Sequence, residues 1–130
     1  MDIVTKRKLN ILIQLAEADK DFAKSERDMI YRIARDRKFE EETVNALIKN
    51  PEPIESLGAL SQAQKFDYLT SCIELIFVDQ KVLESELTFA RNIAIKLGFK
   101  KSIIDYLIQN YSKTSPEELR KGILADYTLP

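Results

Sequence analysis

Apolar side chains recur every three or four residues along most of the chain, which is the spacing of one face of an α-helix. No segment alternates between apolar and polar residues with a period of two, so no strand is predicted. The apolar face is broadest in the fourth segment, and we expect its helix to be the most buried. The pattern predicts an all-α fold with helices over residues 3–18, 24–37, 40 to about 49, 62–78, 84–97 and 101–110.

Three helix ends carry additional signals. Ser61 and Gln64 have the spacing of a capping box, in which each side chain accepts a hydrogen bond from the other residue's backbone. Ser-Pro-Glu-Glu at 115–118 combines that spacing with proline at the first helical position, which predicts a seventh helix over about 115–125. Gly98 follows the fifth helix, at a place where glycine adopts a left-handed backbone at least cost.

The two halves of the chain have similar sequences. When residues 9–50 are placed on residues 69–110 without a gap, 12 of the 42 positions are identical. Helical periodicity does not explain matches between surface polar residues, so these are the informative ones: Asp19/Asp79, Ser25/Ser85 and Glu26/Glu86. We therefore expect one domain, 1–130, in which a three-helix unit is duplicated and the two long helices pack centrally.

The duplication has boundaries and one conformational consequence. The first copy covers about 3–50 and the second about 61–110, and the linker at 51–60 begins with two helix-breaking prolines. Gly98 in the second copy corresponds to Lys38 in the first. We therefore expect Lys38, or its neighbour Arg37, to have a positive φ.

Composition removes many classes of chemistry. The chain has no histidine, which excludes imidazole acid–base catalysis and histidine metal ligation. Its one cysteine, Cys72, lies in an apolar helical segment and is interpreted as a buried packing thiol. The three glycines do not form a phosphate-binding loop. No apolar segment is long enough to span a bilayer and the N-terminus lacks a signal-peptide pattern, so a cytoplasmic location is expected.

The Asp–Glu pairs in "DKDFAKSE" and "DQKVLESE", with a following helix that ends "IAIKLGF" in the second copy, resemble the TerB-like family. These are small all-helical domains named for tellurite resistance, and the family includes the N-terminal region of the DjlA co-chaperone. Its usual motif has glycine after the aspartate, where Lys20 and Gln80 stand in this chain. The resemblance covers nearly the whole chain. It implies a duplicated all-α fold and no defined catalytic activity.

The Asp–Glu pairs have two interpretations. As turn braces, the glutamates at the third helical position accept backbone N–H bonds and favour the positive end of the helix dipole; this structural set is Asp19, Glu26, Asp79, Glu86 and Gly98. The second interpretation follows from the divalent-cation binding associated with TerB proteins, because carboxylate oxygens suit Ca²⁺ or Mg²⁺. Its candidate ligands are Asp19, Asp21, Glu26, Asp79, Glu84 and Glu86.

The exposed residues suggest partner binding. A basic cluster (Arg32, Arg35, Arg37 and Lys38) is interpreted as a solvated face near a helix C-terminus. Nucleic acid is not expected as a partner, because the net charge is −1 and no aromatic residues are interleaved with the cluster. Tyrosines are enriched at binding hot spots, and the candidate anchors, which could equally lie at the rim of the core, are Tyr31, Tyr68, Tyr106 and Tyr111.

These observations together predict a non-enzymatic, TerB-like helical interaction module with a protein partner, acting in a stress response or at the inner membrane face. No cofactor is expected, and the chain is expected to be a monomer or a weak homodimer. The alternative is a domain that binds or senses Ca²⁺ or Mg²⁺ through the repeated Asp–Glu turns.

Overall fold

A computed structural model describes residues 3–18, 24–54, 57–78 and 84–110, together with residue 118. This part of the chain is all-helical and contains no β-strand, which confirms the predicted fold class. Apart from Glu118, the predicted seventh helix at 115–125 lies outside the described residues. The six helices are α1 (Ile3–Ala16), α2 (Lys24–Asp36), α3 (Glu41–Lys49), α4 (Gln62–Val78), α5 (Glu84–Lys96) and α6 (Ile103–Asn110).

Two helix boundaries differ from the predictions by two residues. Helix α1 ends at Ala16 rather than at residue 18, because Ala18 N–H donates to Leu15 O, three residues back, at 3.2 Å. Helix α6 starts at Ile103 rather than at 101, since Ile103 N–H donates to Lys100 O at 3.0 Å. Both ends are therefore tight i→i+3 turns, which apolar periodicity does not distinguish from helix.

The two long helices lie at the centre of the fold. Helix α1 packs against α2, α3, α4 and α5, and α4 packs against α1, α2, α5 and α6. Together with the α2–α3 and α5–α6 contacts, these main pairings stay the same when α1–α3 are exchanged for α4–α6. A core arranged in this way depends on both halves, since each long helix contacts helices from both.

The prediction that the fourth helix is the most buried is wrong. Nine of the 14 residues of α1 are buried, compared with seven of the 17 in α4. The difference arises because α1 also buries polar side chains, namely Thr5, Lys8 and Asn10. Counting apolar residues alone therefore underestimated how much of α1 is enclosed.

Helix α2 ends in a Schellman motif. Phe39 N–H donates to Ala34 O at 2.8 Å, and Lys38 N–H donates to Arg35 O at 3.0 Å. Lys38 has a φ of 61°, so the predicted positive φ is confirmed. A lysine holds this left-handed position although such a conformation is uncommon for a residue with a Cβ.

Helix α5 ends in the same motif. Phe99 N–H donates to Ala94 O at 3.0 Å, Gly98 N–H donates to Ile95 O at 3.0 Å, and Gly98 has a φ of 92°. Phe39 and Phe99, which follow the two left-handed residues, are both buried in the core. The chain therefore returns to the core in the same way after α2 and after α5.

The predicted start of α4 is confirmed in detail. Ser61 N–H donates to Gln64 Oε1 at 2.9 Å, and Gln64 N–H donates to Ser61 Oγ at 3.1 Å, which is a complete capping box. Helix α4 is the longest of the six, and neither it nor any other helix in the described ranges has the length and apolar character needed to cross a membrane.

Candidate functional site

Glu26 and Glu86 occupy equivalent buried positions. Helices α2 and α5 begin at Lys24 and Glu84, so each glutamate is the third helical residue, as the turn-brace interpretation requires. Both residues are only 1% exposed, and both interact with other groups of the molecule. A carboxylate at this depth is rare unless it is paired or hydrogen-bonded. The two halves therefore share a buried acidic group in the first turn of α2 and of α5.

The other acidic candidates are placed differently or lie outside the described residues. Glu84 is 78% exposed at its side chain and pairs with Arg91 at 3.0 Å. Asp19, Asp21 and Asp79 lie in the segments that the structure leaves undescribed. Among the residues it does describe, no three acidic or cysteine side chains are grouped to hold a metal ion. The proposed ligand set stays a prediction.

A cross-helix contact at equivalent positions joins the second helix of each half to the third. In the second half, Arg91 on α5 donates to Asp105 Oδ1 on α6 at 2.8 Å, as well as to Glu84. Hydrogen bonds to these two carboxylates raise the pKa of Arg91. In the first half, Tyr31 and Asn45 stand at the corresponding positions, and the Tyr31 hydroxyl donates to Asn45 Oδ1.

Polar side chains also join the two long helices. Lys8 on α1 donates to Asp67 Oδ2 on α4 at 2.8 Å, with a lysine side chain that is only 8% exposed. At the position equivalent to Lys8, the hydroxyl of buried Tyr68 donates to the Val4 carbonyl of α1. Lys8 and Tyr68, which occupy equivalent positions in the two halves, therefore each bond their own long helix to the other one.

The chain segment after α3 is fastened to α1. Asn10 donates to Glu52 O at 2.9 Å and accepts from Glu52 N–H at 3.0 Å, which matches both backbone groups of one residue. Gln14 donates to the same carbonyl at 2.6 Å, and Lys6 pairs with the Glu52 carboxylate at 3.0 Å. We refer to Asn10, Gln14 and their bonds to Glu52 as the linker strap.

A cleft lies beside the linker strap, between α1 and residues 52–54 and 57. Its volume is about 200 Å³, and Ile3, Arg7, Ile54 and Leu57 are among the residues that line it. Ligand sites for drug-sized molecules usually have volumes of roughly 300–1,000 Å³. The cleft therefore has room for a small group of atoms rather than for a cofactor.

Cys72 is a core residue, as predicted from the sequence. It is 1% exposed, and burial raises the pKa of its thiol from the ordinary 9.0 to about 12. The thiol, rather than the nucleophilic thiolate, is the form present near neutral pH. Its equivalent in the first half is Leu12, an apolar residue that is fully buried.

The tyrosines are less exposed than surface anchors should be. Tyr68 is 1% exposed, so its assignment as an exposed anchor is wrong, and the reason is its position on the buried face of α4. Tyr31 and Tyr106 are partly buried against the core, at its rim. Tyr111 lies outside the described residues.

The outward faces of α2 and α5 differ strongly. Six cations of α2 and its C-terminal turn are exposed. Arg27 interacts with another group of the molecule, and the other five form no ion pair with the described residues: Lys24, Arg32, Arg35, Arg37 and Lys38. The equivalent residues of the second half are Glu84, Asn92, Ile95, Leu97 and Gly98, of which Leu97 is buried in the core rather than on the outward face. We refer to the five cations as the basic face. It extends the predicted basic cluster by one residue, Lys24.

Comparison with protein-family models, with curated proteins and with solved structures finds no match for this chain. The function of this chain is therefore inferred from its side-chain contacts and from the differences between its two halves.

Proposed function

We propose that this chain is a non-enzymatic, TerB-like interaction module in which a duplicated three-helix unit presents helix faces to a protein partner. The observation that carries the proposal is the contrast between α2 and α5. Both helices have 13 residues, end in the same motif and share three buried positions, 26/86, 30/90 and 34/94. Their outward residues, which the fold leaves unconstrained, have nevertheless diverged in charge.

Repeated burial of equivalent side chains supports the proposed duplication. Leu9 and Leu69 are both fully buried, and so are Ile13 and Ile73. Several buried side chains are thus identical in the two halves, although others differ, such as Leu12 and Cys72, whereas the exposed cations of α2 have no cationic equivalent on α5. Exposed residues that differ between the halves are not explained by packing, so we expect them to serve binding.

Photo-crosslinking in cells that produce the protein tests the proposal. A photoreactive amino acid replaces Asp28 in one variant and the equivalent residue, Thr88, in another, since both are exposed on the outer sides of α2 and α5. We expect a discrete crosslinked protein from at least one position. Absence of a discrete product from both positions, in variants that melt like the wild type, would contradict an interaction module.

A divalent-cation site is a second candidate, because Glu26 and Glu86 are buried carboxylates at equivalent positions, and Asp19, Asp21 and Asp79 are near them in the sequence. The test is a thermal melt with EDTA, and then with millimolar Ca²⁺ or Mg²⁺, on the wild type and on Glu26→Gln/Glu86→Gln. A cation at 100 times its dissociation constant adds about 2.7 kcal/mol, which raises Tm by several degrees.

The matched control is Glu41→Gln/Glu42→Gln, which removes two exposed carboxylates from the first turn of α3. A cation-dependent rise in Tm that the control keeps and the Glu26/Glu86 variant loses would establish a cation site. If no protein responds to cations and the Glu26/Glu86 variant is simply less stable, the two glutamates are turn braces.

A further inference from the structure

We propose that the basic face of α2 binds an acidic helical segment of a partner protein. This inference deepens the proposed function and rests on it, because it assigns a surface and a partner chemistry to the same interaction module. The basic face comprises Lys24, Arg32, Arg35, Arg37 and Lys38.

The charge of this face is concentrated and available for binding. All five cations are exposed, and the described residues supply no ion-pair partner to any of them. The two exposed acids of α2 are Asp28 and Asp36, so the face carries a clear excess of positive charge although the whole chain has a net charge of −1. An excess of this kind attracts a partner of opposite charge and guides its approach.

The second half of the molecule shows that the fold does not require these cations. At the equivalent positions α5 has Glu84, Asn92 and Ile95, and it still packs between α1, α4 and α6. Favourable interaction of cations with the helix C-terminus also fails to explain the whole set, since Lys24 is at the first residue of α2. A binding requirement accounts for the positions that packing and the helix dipole leave unexplained.

The borders of the basic face favour a narrow partner. Glu40, Glu41 and Glu42 are exposed immediately beyond the C-terminal turn, and Asp28 and Asp36 lie along the helix itself. A membrane surface or a nucleic acid, with negative charge everywhere, would be repelled by these acids. A single helix with carboxylates on one side can instead place them against the cations and avoid the acids.

The dimensions and the chemistry of α2 fit such a segment. Thirteen residues at a rise of about 1.5 Å each give α2 a length of about 20 Å, which three to four turns of a partner helix would cover. Arg32 and Arg35 lie three residues apart on one side of α2, and each guanidinium can hold a carboxylate through two parallel hydrogen bonds. Glutamates spaced three and four residues apart would meet them.

The experiment measures binding of a fluorescent, alanine-based helical peptide with glutamates on one side. Fluorescence anisotropy is recorded with the wild type, with Arg32→Gln/Arg35→Gln, and with a control, Lys96→Gln/Lys100→Gln. The control removes the same charge from exposed lysines of the second half. We expect the arginine variant to bind at least about fivefold more weakly and the control to bind like the wild type, with affinity falling as salt rises from about 0.1 M to about 1 M.

Each alternative outcome contradicts the inference. No binding by the wild type, or equal loss in both variants, would show that the basic face does not recognise acidic helices. Tighter binding to phosphatidylserine vesicles or to duplex DNA than to the peptide would assign the face to a different partner class. If a crosslinked protein forms at position 88 and none forms at position 28, the chain is still an interaction module, but α2 is not its binding surface.

Discussion

A side-chain contact joins the second and third helices of each half at equivalent positions, 31 and 45 in the first half and 91 and 105 in the second. The chemistry of this contact differs between the halves. Tyr31 and Asn45 join α2 to α3 through a neutral hydrogen bond, whereas Arg91 and Asp105 join α5 to α6 through an ion pair. No residue type occurs in both pairs. The contrast teaches that contacts of different chemistry can join the second and third helices at the same positions.

The same comparison separates structural requirements from other uses of the sequence. Ala34 and Ala94, or Phe39 and Phe99, are identical because the core admits little else at these positions. The outward positions of α2 and α5 have no such constraint, and there the two halves disagree in charge. The charge difference between these outward faces therefore directs attention to binding, whereas buried pairs such as Leu12 and Cys72 can differ and still pack in the core.

The largest expected difference between the halves appears at alkaline pH. Unfolded Cys72 loses its proton above pH 9, whereas the buried thiol keeps it until about pH 12. The folded state then binds more protons, so the free energy of unfolding falls by up to about 1.4 kcal/mol per pH unit in that window. Urea unfolding of the wild type and of Cys72→Ala, at about pH 8.5 and about pH 10.5, measures the difference in slope.

Cys72→Ala also creates a cavity, but that loss is present at every pH and leaves the slope as the informative quantity. Leu12, at the equivalent place in α1, contributes no titration. If both proteins lose stability equally between the two pH values, the buried thiol is not the source of the alkaline sensitivity.

A smaller effect is expected at the left-handed residues. Gly98→Ala should lower the free energy of unfolding by about 1 kcal/mol, because alanine disfavours a φ of 92°. A new Cβ would meet only Lys65 Nζ, at 3.9 Å, so the loss comes from the backbone rather than from a clash. Lys38→Gly should instead raise it by up to about 1 kcal/mol, which chemical denaturation measures.

The two substitutions form a matched pair, since each brings one half closer to the residue type of the other at the same place in the motif. Opposite signs would establish that the first half carries backbone strain that the second half avoids. A loss of stability in Lys38→Gly would mean that lysine contributes a favourable interaction that outweighs its conformation.

The smallest expected effect concerns the cross-helix contacts. A double-mutant cycle on Arg91→Ala and Asp105→Ala should give a coupling of about 0.2–1 kcal/mol that declines as salt rises from about 0.1 M to about 1 M. The corresponding cycle on Tyr31→Phe and Asn45→Ala should give a coupling that salt leaves nearly unchanged. Equal salt dependence in the two cycles would contradict the difference in chemistry.

Periodicity and end signals predicted most of the described fold. Helix α4 begins and ends at the predicted residues, 62 and 78, because a capping box marks its start and a broad apolar face continues to its end. The prediction of a left-handed residue at Lys38 or Arg37 depends only on the alignment of this segment with Gly98, and the structure places it at Lys38. Internal comparison therefore supplied a backbone conformation that the lysine itself does not indicate.

Polar contacts within the core were missed. Lys8 and Asn10 lie on α1 among apolar residues, and their partners, Asp67 and Glu52, are 59 and 42 residues away. Periodicity indicates which face of a helix a side chain occupies but not which residue it contacts, so the long-range partners could not be predicted. Polar residues interrupting an apolar face were the available signal.

The candidate site was only partly predictable for a related reason. Glu26 and Glu86 were found because they are identical, while the pairs at 31/45 and 91/105 escaped notice because they differ. Counting identities overlooks positions at which both members of a contact have changed together. The basic face was visible as a cluster, but its contrast with α5 needed the exposed positions that the structure provides.

The linker strap has a consequence for association between molecules. Duplicated proteins can exchange equivalent halves, and the connecting segment then serves as the hinge through which one half leaves for a second molecule. Here Asn10 holds both backbone groups of Glu52, so the connection is fixed to α1 before it reaches the second half. Because Glu52 is held on α1, only the residues that follow it can serve as the hinge, and the strap therefore shortens the segment through which the two halves could separate.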